Sequence, residues 1–257
     1  MATSETFLPT EPMGHTFATT HWSVVLLARD GDSTAAFAAL ERLCRDYWRP
    51  VYAFVRRAGH GPADAQDLTQ EFLSRFVHKE WLNHLQDQRG KFRSFLLTFL
   101  KHFLSDQRDH ARALKRGGGV LVVPWEELET EEGGALATTG GLTAEQLYDW
   151  RWAHEVMERT VAQLRREFIE DGKAELYAQL RNLQPGGQDA GSYVEIGGRL
   201  GLSEGAVKSA VHRLRLRHRA LLRAEIARTV SDAAEIDGEI RHLITVLGAT
   251  RGGEDYF

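Results

Sequence analysis

Apolar positions recur at spacings of three and four along two long stretches of the chain, and strand-like alternation is almost absent. In the first stretch Phe37, Leu40, Leu43, Tyr47, Trp48, Val51, Phe54 and Val55 follow the period of an amphipathic helix, bent at Pro50. Gly59, His60, Gly61 and Pro62 break it. A second helix, starting near Ala63 or Asp64, carries Leu68, Phe72, Leu73 and Phe76 on one face. A third carries Phe92, Phe95, Leu96, Phe99, Leu100, Phe103 and Leu104. In the second stretch Leu147, Trp150, Val156, Val161 and Leu164 predict a long helix, and Leu176, Tyr177, Leu180 and Leu183 another. After a loop with Pro185, Gly186 and Gly187, two helices follow in quick succession, with inner faces Tyr193, Ile196, Leu200 and Val207, Val211, Leu214. Ile236, Ile240, Leu243, Ile244 and Leu247 mark a C-terminal amphipathic helix. The expected fold class is all-α.

Between the stretches the composition changes. Gly117, Gly118, Gly119, Gly133, Gly134, Gly140 and Gly141 surround residues 126–132, where five of seven positions are glutamate. Glycine raises the entropy cost of ordering and like charges repel, so a flexible linker is expected. The chain then divides into an N-terminal extension (1–32), a helical domain (33–116), a Gly/Glu-rich linker (117–142), a second helical domain (143–230) and a C-terminal helix and tail (231–257). Two small domains suit a chain of 257 residues.

Charge and composition remove several function classes. A net charge of −4 excludes a globally basic nucleic-acid binder, though not a locally basic one. No apolar run approaches the ~18–20 residues of a membrane helix. The N-terminus has neither a basic nor an apolar signal region, so membrane insertion is not expected and the location is expected to be cytoplasmic. One cysteine, Cys44, rules out an internal disulfide and a cysteine-built zinc site. The histidines are scattered, and no HExxH, GxxxxGK[ST] or GxSxG pattern occurs, so no metal, cofactor or enzymatic activity is expected.

Three segments carry candidate chemistry. The pair of helices around Gly201, Leu202 and Ser203 has a helix-turn-helix pattern: Gly201 suits a left-handed helix end, Leu202 can plug the angle, and Ser203 can cap the next helix. Its second helix turns Glu204, Gly205, Lys208, Ser209, His212, Arg213 and Arg215 outward. From position 204 to 228 seven bases face two acids, a footprint for phosphates. Residues 79–116 hold nine bases against four acids, interleaved with Trp81, Phe92, Phe95, Phe99 and Phe103. Aromatics beside a basic groove can stack unpaired bases, although aromatics at helical spacing are more often core. Lastly, Asp64, Asp67, Gln70 and Glu71 form a polar helical face without a third ligand or cleft for catalysis. A solvated helix or a protein-binding face fits them better.

Four motifs in order resemble a bacterial RNA polymerase sigma factor of the extracytoplasmic-function type, with region 2 and region 4 domains only. They are YWRPVYAFVRR from Tyr47, DAQDLTQEF from Asp64, GKFRSFL from Gly90 onward through KHFLSD, and YVEI from Tyr193 through GAVKSAVHR. The resemblance covers residues 19–230. It implies core RNA polymerase and promoter DNA as partners, with an anti-sigma or other regulatory protein as a further partner class. It places Asp64, Asp67, Leu68, Gln70, Glu71 and Phe72 on the polymerase. It places Asn83, Arg89, Lys91, Phe92, Arg93, Lys101 and His102 at the downstream promoter element, with the loop 83–90 capturing a flipped base. The helix-turn-helix would read the upstream element. His102 stands where family members commonly carry Asn, and Ala210 where many carry Arg, which bears on promoter preference. Two other readings compete: a stand-alone helix-turn-helix regulator, which would bind specific DNA tightly without polymerase, and a helical adaptor or enzyme with an incidental basic helix.

Overall fold

The computed structural model describes residues 21–22, 34–77, 90–114, 141–181 and 193–249. Most of the N-terminal extension, the loop 83–90 up to Arg89, nearly all of the linker and the extreme C-terminus lie outside them. Among the described residues the fold is all-α, with one isolated antiparallel bridge, Lys91 to Val230, and no strand.

Helix α1 (Thr34–Arg57) buries Leu40, Leu43, Tyr47, Val51, Phe54 and Val55 along one stripe. It runs through Pro50 to Arg57, so the proline removes one backbone donor without ending the helix. Gly59, at φ +98°, takes the left-handed turn that follows. Helix α2 (Pro62–Val77) starts on the residue type best preset for a first helical position, with Asp64 in the first turn. Helix α3 (Phe92–Leu114) closes the first block. Phe72, Phe76, Phe92, Phe95 and Phe103 are all buried, and Phe92 lies 5.4 Å from Tyr47 and 5.2 Å from Trp22 between ring centroids.

The second block begins with α4 (Ala144–Glu170). Thr143 caps it, accepting from Gln146 N while the Gln146 side chain accepts from Thr143 N. Then come α5 (Ala174–Leu180), α6 (Tyr193–Leu200), α7 (Glu204–Ala227) and α8 (Ile236–Gly248). One apolar core joins α1, α2 and α3 to the first half of α4 (Trp150, Trp152, Val156, Met157), the end of α7 (Leu222, Ile226) and α8 (Leu243, Leu247). A second core gathers Leu164, Tyr177, Leu180, Ile196, Val207, Val211 and Leu214. Helices α4 and α7 therefore belong to both cores. Arg159 of α4 reinforces the seam, pairing with Glu225 at 2.8 Å and Asp46 at 3.5 Å.

Candidate nucleic-acid and polymerase interfaces

The α6–α7 pair is held by a turn whose geometry is dictated residue by residue. Gly201 is left-handed at φ +66°. Leu202 N donates to Gly197 O at 2.8 Å, and a Cβ on Gly197 would lie 2.5 Å from the Leu202 carbonyl oxygen. Only glycine admits that approach, a requirement the spacing of apolar residues does not reveal. Leu202 itself is 39% exposed and so does not plug the inter-helix angle as the sequence suggested; the Gly197 backbone contact occupies that place. Ser203 accepts from Ala206 N at 3.2 Å and caps α7.

With Val207, Ala210, Val211 and Leu214 turned inward, α7 leaves Glu204, Gly205, Lys208, Ser209, His212 and Arg213 exposed on one side. Arg215 is only half-buried at the edge. Lys208 pairs with Glu204 at 2.6 Å, and that partner holds its ammonium above the ordinary lysine range. Further along, Arg217 makes two 2.7 Å bonds to Glu167, Arg223 pairs with Asp237, and Arg228 with Glu225. Acids brought in from α4 and α8 thus neutralise part of the basic run, and Glu204 offsets Lys208 within α7 itself.

On α2, Asp64, Asp67 and Gln70 are exposed while Ala65, Thr69, Phe72 and Leu73 face the core. Glu71 is half-buried and accepts from Arg75 at 2.5 Å and Gln107 at 3.0 Å. Leu68 packs partly against the core. Phe72 is fully buried, 5.6 Å from Phe103, so its expected place on the polymerase surface is corrected: it shapes α2 from beneath. Beside Gln70 a shallow apolar groove opens between α1 and α2, floored by Cys44, Trp48 and Leu73.

The expected downstream-promoter residues are distributed less simply. Lys101 and His102 are exposed. Phe92 is fully buried among aromatic rings, so it does not stack on a base in this conformation. Arg93 is 6% exposed. Its Nε bonds Glu239 at 2.5 Å, its NH1 bonds Asp149 at 2.6 Å, and its guanidinium lies 4.9 Å from the Trp152 ring centre. Burial works against its charge, yet these two carboxylates raise it above the usual arginine value. Arg93 is thus an internal strut here and not a free phosphate contact. Asn83 and Arg89 lie outside the described residues.

Among the described residues no group of three or more His, Cys, Asp and Glu is placed to hold a metal, and no helix is long and apolar enough to cross a membrane. Residues 43–114, spanning most of α1 through the end of α3, match the family model of sigma-70 region 2. Over that span the first block is similar to a sigma-70 region 2. The match supports a sigma-70 family RNA polymerase sigma factor, a class of non-enzymatic initiation factors that bind core polymerase and promoter DNA. No curated protein and no solved structure matches the chain. Sequence reasoning missed Glu239, Asp149 and Glu145 as partners of the region 2 cations. Glu239 carried a signal, since it interrupts the apolar stripe of Ile236, Ile240 and Leu243 on α8.

Proposed function

We propose that the protein is a two-region sigma factor of the extracytoplasmic-function type. In this reading region 2 docks on core polymerase through Asp64, Asp67 and Gln70 and the groove beside them. The helix-turn-helix acts as region 4 and reads the upstream promoter element. The observation that carries the reading is the exposed face of α7, with Lys208, Ser209, His212 and Arg213 clear of the core, on the same chain as the matched region 2. Side chains near a recognition helix's N-terminus reach base edges, whereas later cations contact phosphate. Region 2 would melt and hold the downstream element, with Lys101 and the loop 83–90 nearest to it.

Binding of purified protein to core polymerase, and of the resulting holoenzyme to promoter DNA, tests this. Asp67→Arg is expected to weaken core binding at least tenfold and leave the fold intact. Lys208→Ala with Arg213→Ala is expected to keep core binding and lose discrimination between promoters. Tight, specific DNA binding by the free protein with no affinity for core would favour the stand-alone regulator instead.

A further inference from the structure

Three of the region 2 cations assigned to promoter DNA meet carboxylates from the second block. Lys91 Nζ lies 2.9 Å from Glu239, Arg93 bonds Glu239 and Asp149 at 2.5 and 2.6 Å, and Lys101 lies 2.7 Å from Glu145. Backbone contacts close the same seam. Phe92 N donates to Thr229 O at 2.9 Å, Ser231 N to Gly90 O at 3.2 Å, and Gly90 N to Ser231 Oγ at 2.6 Å. Thr229 and Ser231 thus hold Gly90 and Phe92 at the start of α3.

We propose that Glu145, Asp149 and Glu239 are an internal substitute for promoter phosphate, closing the downstream DNA face of region 2 in the free protein. The inference rests on the sigma-factor reading for the role of that face. A carboxylate and a phosphate oxygen offer these cations the same charge-assisted bonds, so strand and acids compete for one set of donors. The parts differ in strength. Lys101 and Glu145 are both 46% exposed, and a pair in water holds weakly. Glu239 is fully buried and Arg93 nearly so, and separating them leaves charge without its partner inside the core. The Arg93–Glu239 contact is the latch. Apparent DNA affinity falls in proportion to the small fraction of molecules with the latch open.

The test uses the full chain and a fluorescent single-stranded DNA oligonucleotide, with anisotropy followed across a salt series. Glu145→Gln, at an exposed site, is expected to tighten binding about twofold, and Glu239→Gln about tenfold. In Glu239→Gln the log–log salt slope should also steepen by about 0.7 for each cation released to the strand. Adding Lys91→Ala should remove part of that extra slope. Unchanged affinity and slope in both single variants overturns the proposal, as does a chain that ignores the strand in every form. Should Glu239→Gln fail to melt cooperatively, amide exchange on the unmodified protein decides. The amides of Phe92 and Ser231 must lose protection when DNA saturates the chain, and protection that persists overturns the proposal. No polymerase is needed, so failure to bind core counts against the sigma reading alone.

Discussion

Gly197 shows how a single atom governs the turn between α6 and α7. Its missing Cβ leaves room for the Leu202 carbonyl, and Gly197→Ala forces that backbone aside. A loss of about 1–3 kcal/mol is expected in urea unfolding, the usual range for overpacking. His21 is a second sensitive residue. It is buried against Tyr47 and Phe92, with its backbone N donating to Arg228 O at 2.7 Å. Burial, then the charges of Arg228 and Arg159, push its imidazole down to about 3. The unfolded chain therefore takes up this proton first as pH falls below about 6.5, and the folded state loses stability from there toward pH 3. The contribution is about 1.4 kcal/mol per pH unit inside that window. Chemical denaturation at pH 7, 6, 5 and 4 should show that slope shrinking by this amount in His21→Gln; equal slopes in the two proteins would contradict the assignment. Neither residue could be singled out from sequence: Gly197 has an equally plausible neighbour in Gly198, and His21 sits far along the chain from the rings that bury it.

At the scale of elements, periodicity was informative because each helix needs one buried stripe. The inner faces of α6 and α7 and the Ser203 cap follow from local spacing, since capping and stripe formation depend on residues within a turn or two. The buried state of Arg93 was not legible, because Asp149 of α4 and Glu239 of α8 impose it from beyond a long separation in sequence. Helix α8 carries that effect. Leu243 is fully buried in the core it shares with region 2. Leu243→Ala is expected to cost about 2–5 kcal/mol, as large-to-small core changes do. Hydrogen exchange should show the loss at the Phe92 and Ser231 amides as well as in α8; faster exchange confined to α8 would mean that the helix does not brace region 2.

Across the whole molecule, glycine and glutamate between the blocks suggested modules on a loose tether. Composition describes the covalent connection, but it says nothing of which apolar faces find each other. Trp150, expected on a helix of the second block, and Leu247, expected on the C-terminal helix, complete the core of the first block together with Trp152 and Leu222. The basic run of α7 likewise looked stronger in sequence than in space, because Glu167 and Asp237 arrive from α4 and α8 to offset it. What remains exposed is a polar face on α2 and a face at the start of α7, the two surfaces on which the proposed function rests. The most direct measurement is transcription in vitro from a pool of promoters of the source genome, with bacterial core polymerase and the purified protein. Transcripts that depend on the protein and disappear with Asp67→Arg are the predicted result. Transcripts indifferent to the protein, with core unbound in a pull-down, would contradict the account.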